Sequence, residues 1–124
     1  MIPRILVVDD DADILALLED MLSMEGYEVC TAANGQLALQ ELEKRRPQLI
    51  LLDMKMPVMD GRAFARCLRE RHGDAIPFLV LTAAADVRNA ALEVQAHGWL
   101  GKPFDLDELL RTVAGQLAAA RCPA

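Results

Sequence analysis

Apolar runs alternate with amphipathic stretches along the chain, and this alternation predicts an α/β fold. Residues 4–8 are predicted to form a strand. After Arg4 they are an unbroken apolar run, as expected of a strand covered on both faces of a sheet. Residues 13–25 repeat leucine and other apolar side chains at helical spacing, and Gly26 ends this predicted helix. The first two elements are therefore a buried strand and a helix.

The same pattern continues along the rest of the sequence. Further strands are predicted over 27–31, 49–52, 77–81 and 99–100, and further helices over 34–46, 61–72, 86–96 and 105–117. Five strands that alternate with five helices favour right-handed β-α-β units, a parallel sheet and helices on both of its faces. A chain of 124 residues suits one domain, so we expect a single domain over 1–124.

Charge narrows the class of protein. The formal net charge of −6 argues against nucleic-acid binding as the main role, because phosphate backbones require a basic surface. Four arginines cluster in one predicted helix, at a spacing typical of a solvated helix face: Arg62, Arg66, Arg69 and Arg71. We therefore expect no direct contact with nucleic acid.

No segment has the features of a targeting or membrane signal. The first apolar run is too short for a signal peptide, and no apolar stretch is long enough to span a bilayer. The cysteines form neither a C-x-x-C pair nor an even-numbered framework, which favours reduced thiols at Cys30, Cys67 and Cys122. We expect a cytoplasmic chain with no membrane contact.

Polar side chains of a particular kind follow the predicted strands. The first strand ends in an acidic run at 9–11, the third at Asp53 and the fourth at Thr82, and Lys102 follows the fifth. In parallel sheets of this class, functional groups gather at the carboxyl ends of the strands. The sequence therefore predicts a site that combines several carboxylates, a hydroxyl group and an ammonium group.

This combination suits phosphoryl transfer. Crowded carboxylates repel one another and favour a hard divalent cation such as Mg²⁺. A carboxylate is also a possible nucleophile towards phosphorus, giving an aspartyl phosphate. The transferred group then needs its three oxygens neutralised, for which a metal ion, Lys102, and Thr82 with a backbone N–H are candidates.

Four segments resemble the signatures of response regulator receiver domains, of the kind found in chemotaxis regulators. They are ILVVDDD at 5–11, LLDMKMPVMDG at 51–61, LVLTA at 79–83 and KPF at 102–104. They occur in the family's order and spacing, and the resemblance covers essentially the whole chain. It implies a flavodoxin-like, three-layer (βα)5 receiver fold whose five parallel strands lie in the order 2-1-3-4-5.

The resemblance also implies roles for the acidic residues. Asp53 matches the phosphoacceptor of the family. Asp10 matches the carboxylate that binds Mg²⁺ directly, and Asp9 matches one that acts largely through water. The backbone carbonyl of Lys55 matches a further metal ligand. These four positions are the metal and acceptor residues that the resemblance predicts.

Further roles fall on the later strands. Thr82, followed by Ala83, matches the switch hydroxyl that reaches for the phosphoryl group. Lys102 matches the lysine that pairs with that group, and Pro103 matches the proline after it. Trp99 stands where the family usually carries a switching Tyr or Phe.

The sequence departs from the family pattern at several positions. Trp99 is larger than the usual ring, so we expect phosphorylation to move backbone more than to bury the indole. Gln95 stands where the family commonly has Gly, which predicts a strained or reshaped turn before the last strand. Lys55 and Ala84 occupy positions that tune water access in relatives, and we expect slow self-hydrolysis of the phosphorylated chain.

The resemblance implies a switch that receives its phosphoryl group from a histidine kinase or a histidine phosphotransfer protein. The downstream partner would be a protein target or an output domain outside this chain. The only reactions that the chain would catalyse are self-phosphorylation and self-dephosphorylation of Asp53, so it would not be an enzyme acting on separate substrates.

Alternative interpretations remain open. The chain could be a receiver-like scaffold that binds partners without phosphorylation, although the retained acids, Thr82 and Lys102 disfavour this. Asp9 and Asp11 also have the D-x-D spacing of small aspartate phosphatases, but the chain lacks length for a cap domain. A calcium loop starting at Asp9 would need glycine where Ile14 stands.

Overall fold

A parallel sheet of five strands forms the centre of the molecule. The computed structural model describes residues 2–54, 58–73, 75–83, 87–102 and 104–121. The strands are Arg4–Val8 (β1), Glu28–Ala32 (β2), Leu49–Asp53 (β3), Phe78–Ala83 (β4) and Gly98–Lys102 (β5). The helices are Ala12–Met24 (α1), Gly35–Lys44 (α2), Gly61–His72 (α3), Val87–Glu93 (α4) and Leu106–Arg121 (α5).

The strand order is β2-β1-β3-β4-β5, which confirms the predicted α/β receiver fold and its order. All four strand pairs are parallel. The strands β1 and β3 are direct neighbours, and Val8 pairs with Leu52. The residues that follow these two pairing positions therefore emerge side by side at the same edge of the sheet.

Two apolar clusters, one on each face of the sheet, explain the three-layer arrangement. On one face, α2, α3 and α4 pack against Leu6, Ile50 and Val80. On the other face, α1 and α5 pack against Ile5 and Leu51. Successive strand residues point to opposite faces, so an unbroken apolar strand supplies both clusters at once. Each fully buried aliphatic side chain contributes about 1.5–3 kcal/mol to the free energy of folding.

Polar residues in the loops after the strands start three of the helices. Asp11, Asn34 and Asp60 each accept hydrogen bonds from backbone amides in the first turn of α1, α2 and α3. Such caps satisfy amides that have no partner within the helix, and each contributes about 1 kcal/mol. These caps fix where the loops beside the strand ends turn into helices.

Some boundaries differ from the predicted ones. The helix α2 ends at Lys44 rather than at residue 46, because Arg45 is extended (φ −162°, ψ 130°) and Pro47 disfavours helix in the residue before it. The helix α4 ends at Glu93 rather than at residue 96. The strand β5 has five residues rather than two, since it pairs with β4 along its whole length.

The predicted solvated face of α3 is present, since Arg62, Arg66 and Arg71 are exposed, and three of the four arginines also bond to neighbouring elements. Arg62 bonds to Glu93 of α4, and Arg71 bonds to Glu43 of α2. Arg69 donates to backbone carbonyls just after α4. Helical spacing alone cannot reveal such contacts, because their partners lie in other elements.

Within the described part of the chain, no helix combines the length and apolar character needed to cross a membrane. Cys30 and Cys67 are free thiols and are half-buried, which agrees with the predicted reduced state. Cys122 lies outside the described residues.

Candidate functional site

Three carboxylates from two neighbouring strands converge at the carboxyl edge of the sheet. Asp9 and Asp10 follow β1 directly, and Asp53 is the last residue of β3. One oxygen of each carboxylate lies within 4.8 Å of one oxygen of each of the others. Asp9 is 0% exposed and Asp53 is 4% exposed, whereas Asp10 faces solvent. The cluster therefore has a buried floor and an open side.

Backbone contacts hold the deepest carboxylate in place. The amide of Asp9 donates to Ala32 O at 3.1 Å, which continues the pairing of β1 with β2. Its Oδ1 accepts a hydrogen bond from the amide of Asp11 at 2.9 Å. Asp11 in turn caps α1 with its own carboxylate. Asp9 thus has a fixed orientation, set by the turn that leads into the helix.

Lys102, the last residue of β5, brings a positive charge to the carboxylates. Its Nζ lies 2.6 Å from Asp9 Oδ2 and 3.6 Å from Asp53 Oδ1. The two carboxylates would repel each other in this buried position without a cation between them. The predicted convergence of an ammonium group with acids of two separate strands is therefore present in the structure.

Thr82 lies on β4, next to the strand that carries Asp53. Asp53 pairs with Leu81, and Thr82 is the following residue, so Thr82 reaches the same edge of the sheet. Thr82 is buried, and its register partner on β5 is Gly101, next to Lys102. The hydroxyl-bearing residue and the ammonium-bearing residue thus come from adjacent positions of two paired strands.

Trp99 lies near the start of β5, away from the carboxylate cluster. It pairs with Val80 and is 43% exposed, whereas the next residue, Leu100, is buried. The indole is therefore partly on the surface of the molecule in this arrangement.

The segment after Asp53 is braced by two close approaches to glycine. A Cβ on Gly61 would lie 2.6 Å from Met54 Sδ and 2.9 Å from Asp53 O, so only glycine fits there. A Cβ on Gly35 would lie 2.8 Å from Met59 Cγ, and the Gly35 amide donates to Met59 O at 3.3 Å. The start of α2 therefore contacts Met59, two residues before α3 begins.

Some predicted site residues lie outside what the structure describes. The carbonyl of Lys55, Pro103 and Ala84 fall in segments without described placement. Ala83 ends β4, and its backbone pairs with Lys102. The sequence analysis did not predict that the Asp11 amide would bind Asp9. An aspartate often accepts a hydrogen bond from the amide two residues later, so Asp9 itself was a recognisable signal.

The donor set of the site fits a hard divalent cation. Carboxylate oxygens are the ligands that Mg²⁺ takes from proteins, with water or phosphate oxygens completing its shell. The clustered oxygens of Asp9, Asp10 and Asp53 provide such ligands, and the exposed side at Asp10 leaves room for water. The residues present therefore suit the predicted ion.

Comparisons with known proteins agree with this geometry. The response regulator receiver domain family matches residues 5–114. Among curated proteins, the transcriptional regulatory protein PrrA of Mycobacterium tuberculosis is 46% identical over 117 residues, which cover 93% of this chain and 50% of PrrA. The response regulator MprA of Mycolicibacterium vanbaalenii is 46% identical over 109 residues, covering 86% of this chain and 47% of MprA. The chain spans about half the length of these relatives.

Solved structures give the same result. A putative response regulator from Chloroflexus aurantiacus superposes with a TM-score of 0.88 and 36% identity, covering 95% of this chain and 99% of that one. The chemotaxis protein CheY4 of Vibrio cholerae superposes with a TM-score of 0.84 and 36% identity, covering 93% and 98%. The similarity therefore extends over nearly the whole of both compared structures.

Proposed function

Because the chain belongs to the response regulator receiver domain family, we propose that it accepts a phosphoryl group on Asp53 in a Mg²⁺-dependent reaction. The observation that carries this proposal is the cluster of Asp9, Asp10 and Asp53, with Lys102 Nζ placed between Asp9 and Asp53. A buried aspartate beside other acids and an ammonium group is suited to becoming an acyl phosphate whose phosphoryl oxygens are then neutralised.

Asp53 acts as the nucleophile. Its carboxylate oxygen forms a bond to phosphorus as the P–N bond of a phosphohistidine donor breaks, and the leaving imidazole keeps the electron pair and takes up a proton. Asp9, Asp10 and Asp53, with the Lys55 carbonyl, would hold the Mg²⁺ ion. When bound, the ion supplies positive charge that offsets the repulsion between the acceptor carboxylate and the incoming phosphoryl oxygens.

Lys102 and Thr82 then stabilise the product. Lys102 Nζ is already 3.6 Å from Asp53 Oδ1, so a short movement places it on a phosphoryl oxygen. The Thr82 hydroxyl binds another oxygen from the end of β4, where Ala83 follows it and pairs with Lys102. Such charge-assisted hydrogen bonds are the stronger kind, which gives the phosphorylated form its own preferred arrangement.

The alternatives are weaker because of specific contacts. In a D-x-D phosphatase both acids would serve the reaction, but here the Asp11 carboxylate accepts from the amides of Asp13 and Ile14 as the cap of α1. The same helix begins at residue 12, which leaves no calcium-binding loop over 9–13. No contact of the described residues favours a phosphorylation-independent scaffold.

The partners follow from the family. A histidine kinase or histidine phosphotransfer protein would donate the group, and phosphorylation would switch contacts with an output domain or a downstream protein. Relatives named as transcriptional regulators are about twice as long, which supports an output region beyond the receiver domain itself. We propose that residues 1–124 form one cytoplasmic receiver domain that turns over no separate substrate and binds no nucleic acid directly.

The test is phosphorylation by a small donor. With Mg²⁺ and acetyl phosphate, the wild-type chain should gain the mass of one phosphoryl group. Asp53→Ala should abolish the gain, whereas Asp20→Ala, which removes an exposed acid on α1, should retain it. No gain in the wild type would support the scaffold instead, and rapid turnover of small phosphoesters would support a phosphatase. Either result contradicts the proposal.

Trp99 provides a second readout. Because the indole is large and already 43% exposed, we expect phosphorylation to change its emission only slightly. Its fluorescence reports this directly, since the chain has one tryptophan. A large quench with a blue shift would mean that the ring turns inward, contrary to this expectation.

A further inference from the structure

The end of α4 is tied to α3 by two arginine side chains. Arg62 Nε and Nη2 donate to Glu93 Oε1 and Oε2, each at 2.9 Å, which is a two-pronged ion pair between the helices. Arg69 Nη2 donates to Val94 O at 3.1 Å and to Gln95 O at 3.5 Å. Side chains of α3 therefore bind both the last residue of α4 and the turn that follows it.

The turn after α4 needs such support. The amides of Gln95 and Ala96 donate back to Leu92 O (3.2 Å) and Ala91 O (2.9 Å), the pattern that ends many helices with a left-handed residue. Gln95 occupies the left-handed position, with φ of 57°, where glycine is favoured. Arg69 binds the carbonyls of this strained turn and so stabilises it from α3.

The helix α4 lies between these arginine bonds, here called the α3–α4 fastening, and the proposed site. It follows β4, which carries Thr82, and it packs against β4 and β5, with Ala91 buried on its inner side. A surface groove of about 300 Å³ runs beside the fastening and is lined in part by Arg62, Arg69 and Glu93. Val94 and Ala96 also pack against the apolar cluster on this face of the sheet, so the polar bonds of Arg62 and Arg69 add to that packing at this end of the helix.

We infer that Arg62 and Arg69 are positioning residues that hold α4 in its present arrangement and thereby oppose the phosphorylated arrangement. This inference rests on the proposed phosphorylation of Asp53. The bonds favour the arrangement in which they form, the one in which Lys102 lies on Asp9 and Trp99 is exposed. A contact shifts a two-state equilibrium only if it differs between the two states, so breaking it should favour the other state.

The ion pair is exposed, which limits the expected effect. The side chains of Arg62 and Glu93 are 54% and 55% exposed, and pairs of this kind alter an equilibrium by roughly two- to fivefold. An effect of this size shifts the balance between the two arrangements but does not exclude either of them.

Charge reversal tests the fastening without any phosphoryl group. Arg62→Glu and Glu93→Arg should each lower the hydrogen-exchange protection of the Gln95 and Ala96 amides by roughly two- to fivefold. The double variant Arg62→Glu/Glu93→Arg should restore it, because the pair re-forms with reversed sign. Unchanged protection in both single variants, or no recovery in the double variant, would overturn the inference.

Arg71→Glu is the matched control for these variants. It breaks an exposed ion pair on the same helix, from Arg71 to Glu43 of α2, and leaves α4 untouched. It should not change exchange at Gln95 and Ala96. An equal loss of protection there would show a general effect of reversing charge on α3 and would contradict a specific role of Arg62.

Binding of beryllofluoride, a phosphoryl mimic, with Mg²⁺ tests the coupling to the site. Arg62→Glu should lower the half-saturating concentration by roughly two- to fivefold, and the charge-swapped double variant should return it to the wild-type value. An unchanged or raised concentration in Arg62→Glu would overturn the inference. If the wild type binds no better than Asp53→Ala, the proposed function fails, and the exchange measurement still judges the fastening independently.

Discussion

Lys102 Nζ lies 1.0 Å closer to Asp9 than to Asp53, with distances of 2.6 Å to Asp9 Oδ2 and 3.6 Å to Asp53 Oδ1. The ammonium group therefore binds the acid of the first strand more tightly than the proposed acceptor. Asp9 is fully buried, so its charge depends on this contact and on the Asp11 amide. A divalent cation on the same carboxylates would take over part of the role of Lys102.

Replacing the lysine should make stability depend on metal. Lys102→Met keeps an unbranched side chain only one atom shorter but leaves the buried Asp9 charge uncompensated, and it should lower the free energy of unfolding by about 2–4 kcal/mol without Mg²⁺. Adding Mg²⁺ should recover most of that loss, because the ion binds only the folded state. Urea unfolding with and without Mg²⁺ measures both values.

The control for this experiment is Lys44→Met. Lys44 is 70% exposed and pairs with Glu41 within one helix, so its replacement should cost no more than about 0.5 kcal/mol and should respond no more to Mg²⁺ than the wild type does. A Lys102→Met chain as stable as the wild type in the absence of metal would show that Asp9 does not need the ammonium group.

Two neighbouring acids should differ sharply in their effect on metal affinity. Asp10→Asn removes a charge from the carboxylate cluster and should weaken Mg²⁺ binding by at least about tenfold. Asp11→Asn keeps an oxygen able to cap α1 and should change affinity less than about threefold. Titration calorimetry with Mg²⁺ compares the two variants. Equal losses would mean that Asp11 also contributes to the metal site.

Glycine at position 95 should stabilise the chain. Gln95 has a φ of 57°, and glycine adopts this conformation without the steric cost that a side chain carries. Gln95→Gly should raise the free energy of unfolding by about 0.5–1 kcal/mol. Thermal or urea unfolding measures the change.

A glutamine inside a helix should show the opposite change in the free energy of unfolding. Gln40 lies within α2 and is exposed, so Gln40→Gly should lower the free energy of unfolding by about 1 kcal/mol. If both replacements destabilise the chain alike, the left-handed turn carries no strain that glycine relieves.

The half-buried thiol of Cys30 should react slowly. Burial raises its pKa above the ordinary value; Arg4 nearby opposes this rise, and Glu41 adds to it. Since the thiolate is the reactive form, a higher pKa leaves less of it at pH 8, and alkylation should speed up as pH rises beyond the ordinary thiol range.

Iodoacetamide labelling in a background with Cys67 and Cys122 changed to serine measures the rate. Folded Cys30 should react at least about tenfold more slowly at pH 8 than the same chain in urea. Equal rates in the folded and unfolded chains would show that burial does not protect the thiol.

The sequence was sufficient for the fold and for the convergence of the site. Unbroken apolar runs at 4–8 and 49–52 indicated buried strands, and the acids directly after them belong at the same edge of a parallel sheet; that they meet there follows from the strand order that the resemblance implied. Lys102 could be assigned to the same edge because it follows the last strand. The strand order itself came from the resemblance, since periodicity does not specify which strands are neighbours.

Other features depend on contacts between distant segments and could not be predicted. Arg62 and Glu93 are 31 residues apart, and nothing in the spacing of either helix indicates that they meet. The preference of Lys102 for Asp9 over Asp53 is a matter of one ångström. The turn at Gln95 could be predicted in part. The position of Gln95 in the family pattern indicated an unusual turn, but it did not indicate that Arg69 would support that turn.

Gly35 fits closely against Met59, although α2 contributes no charged group to the proposed chemistry. A larger residue at position 35 would press on Met59, which lies between the proposed acceptor and α3, and we expect it to change the reactivity of Asp53 without altering one acid. Measuring the phosphorylation rate of Gly35→Ala would reveal this mechanical influence. Variation at that position would thus be a route by which related switches acquire different speeds while sharing the same reactive residues.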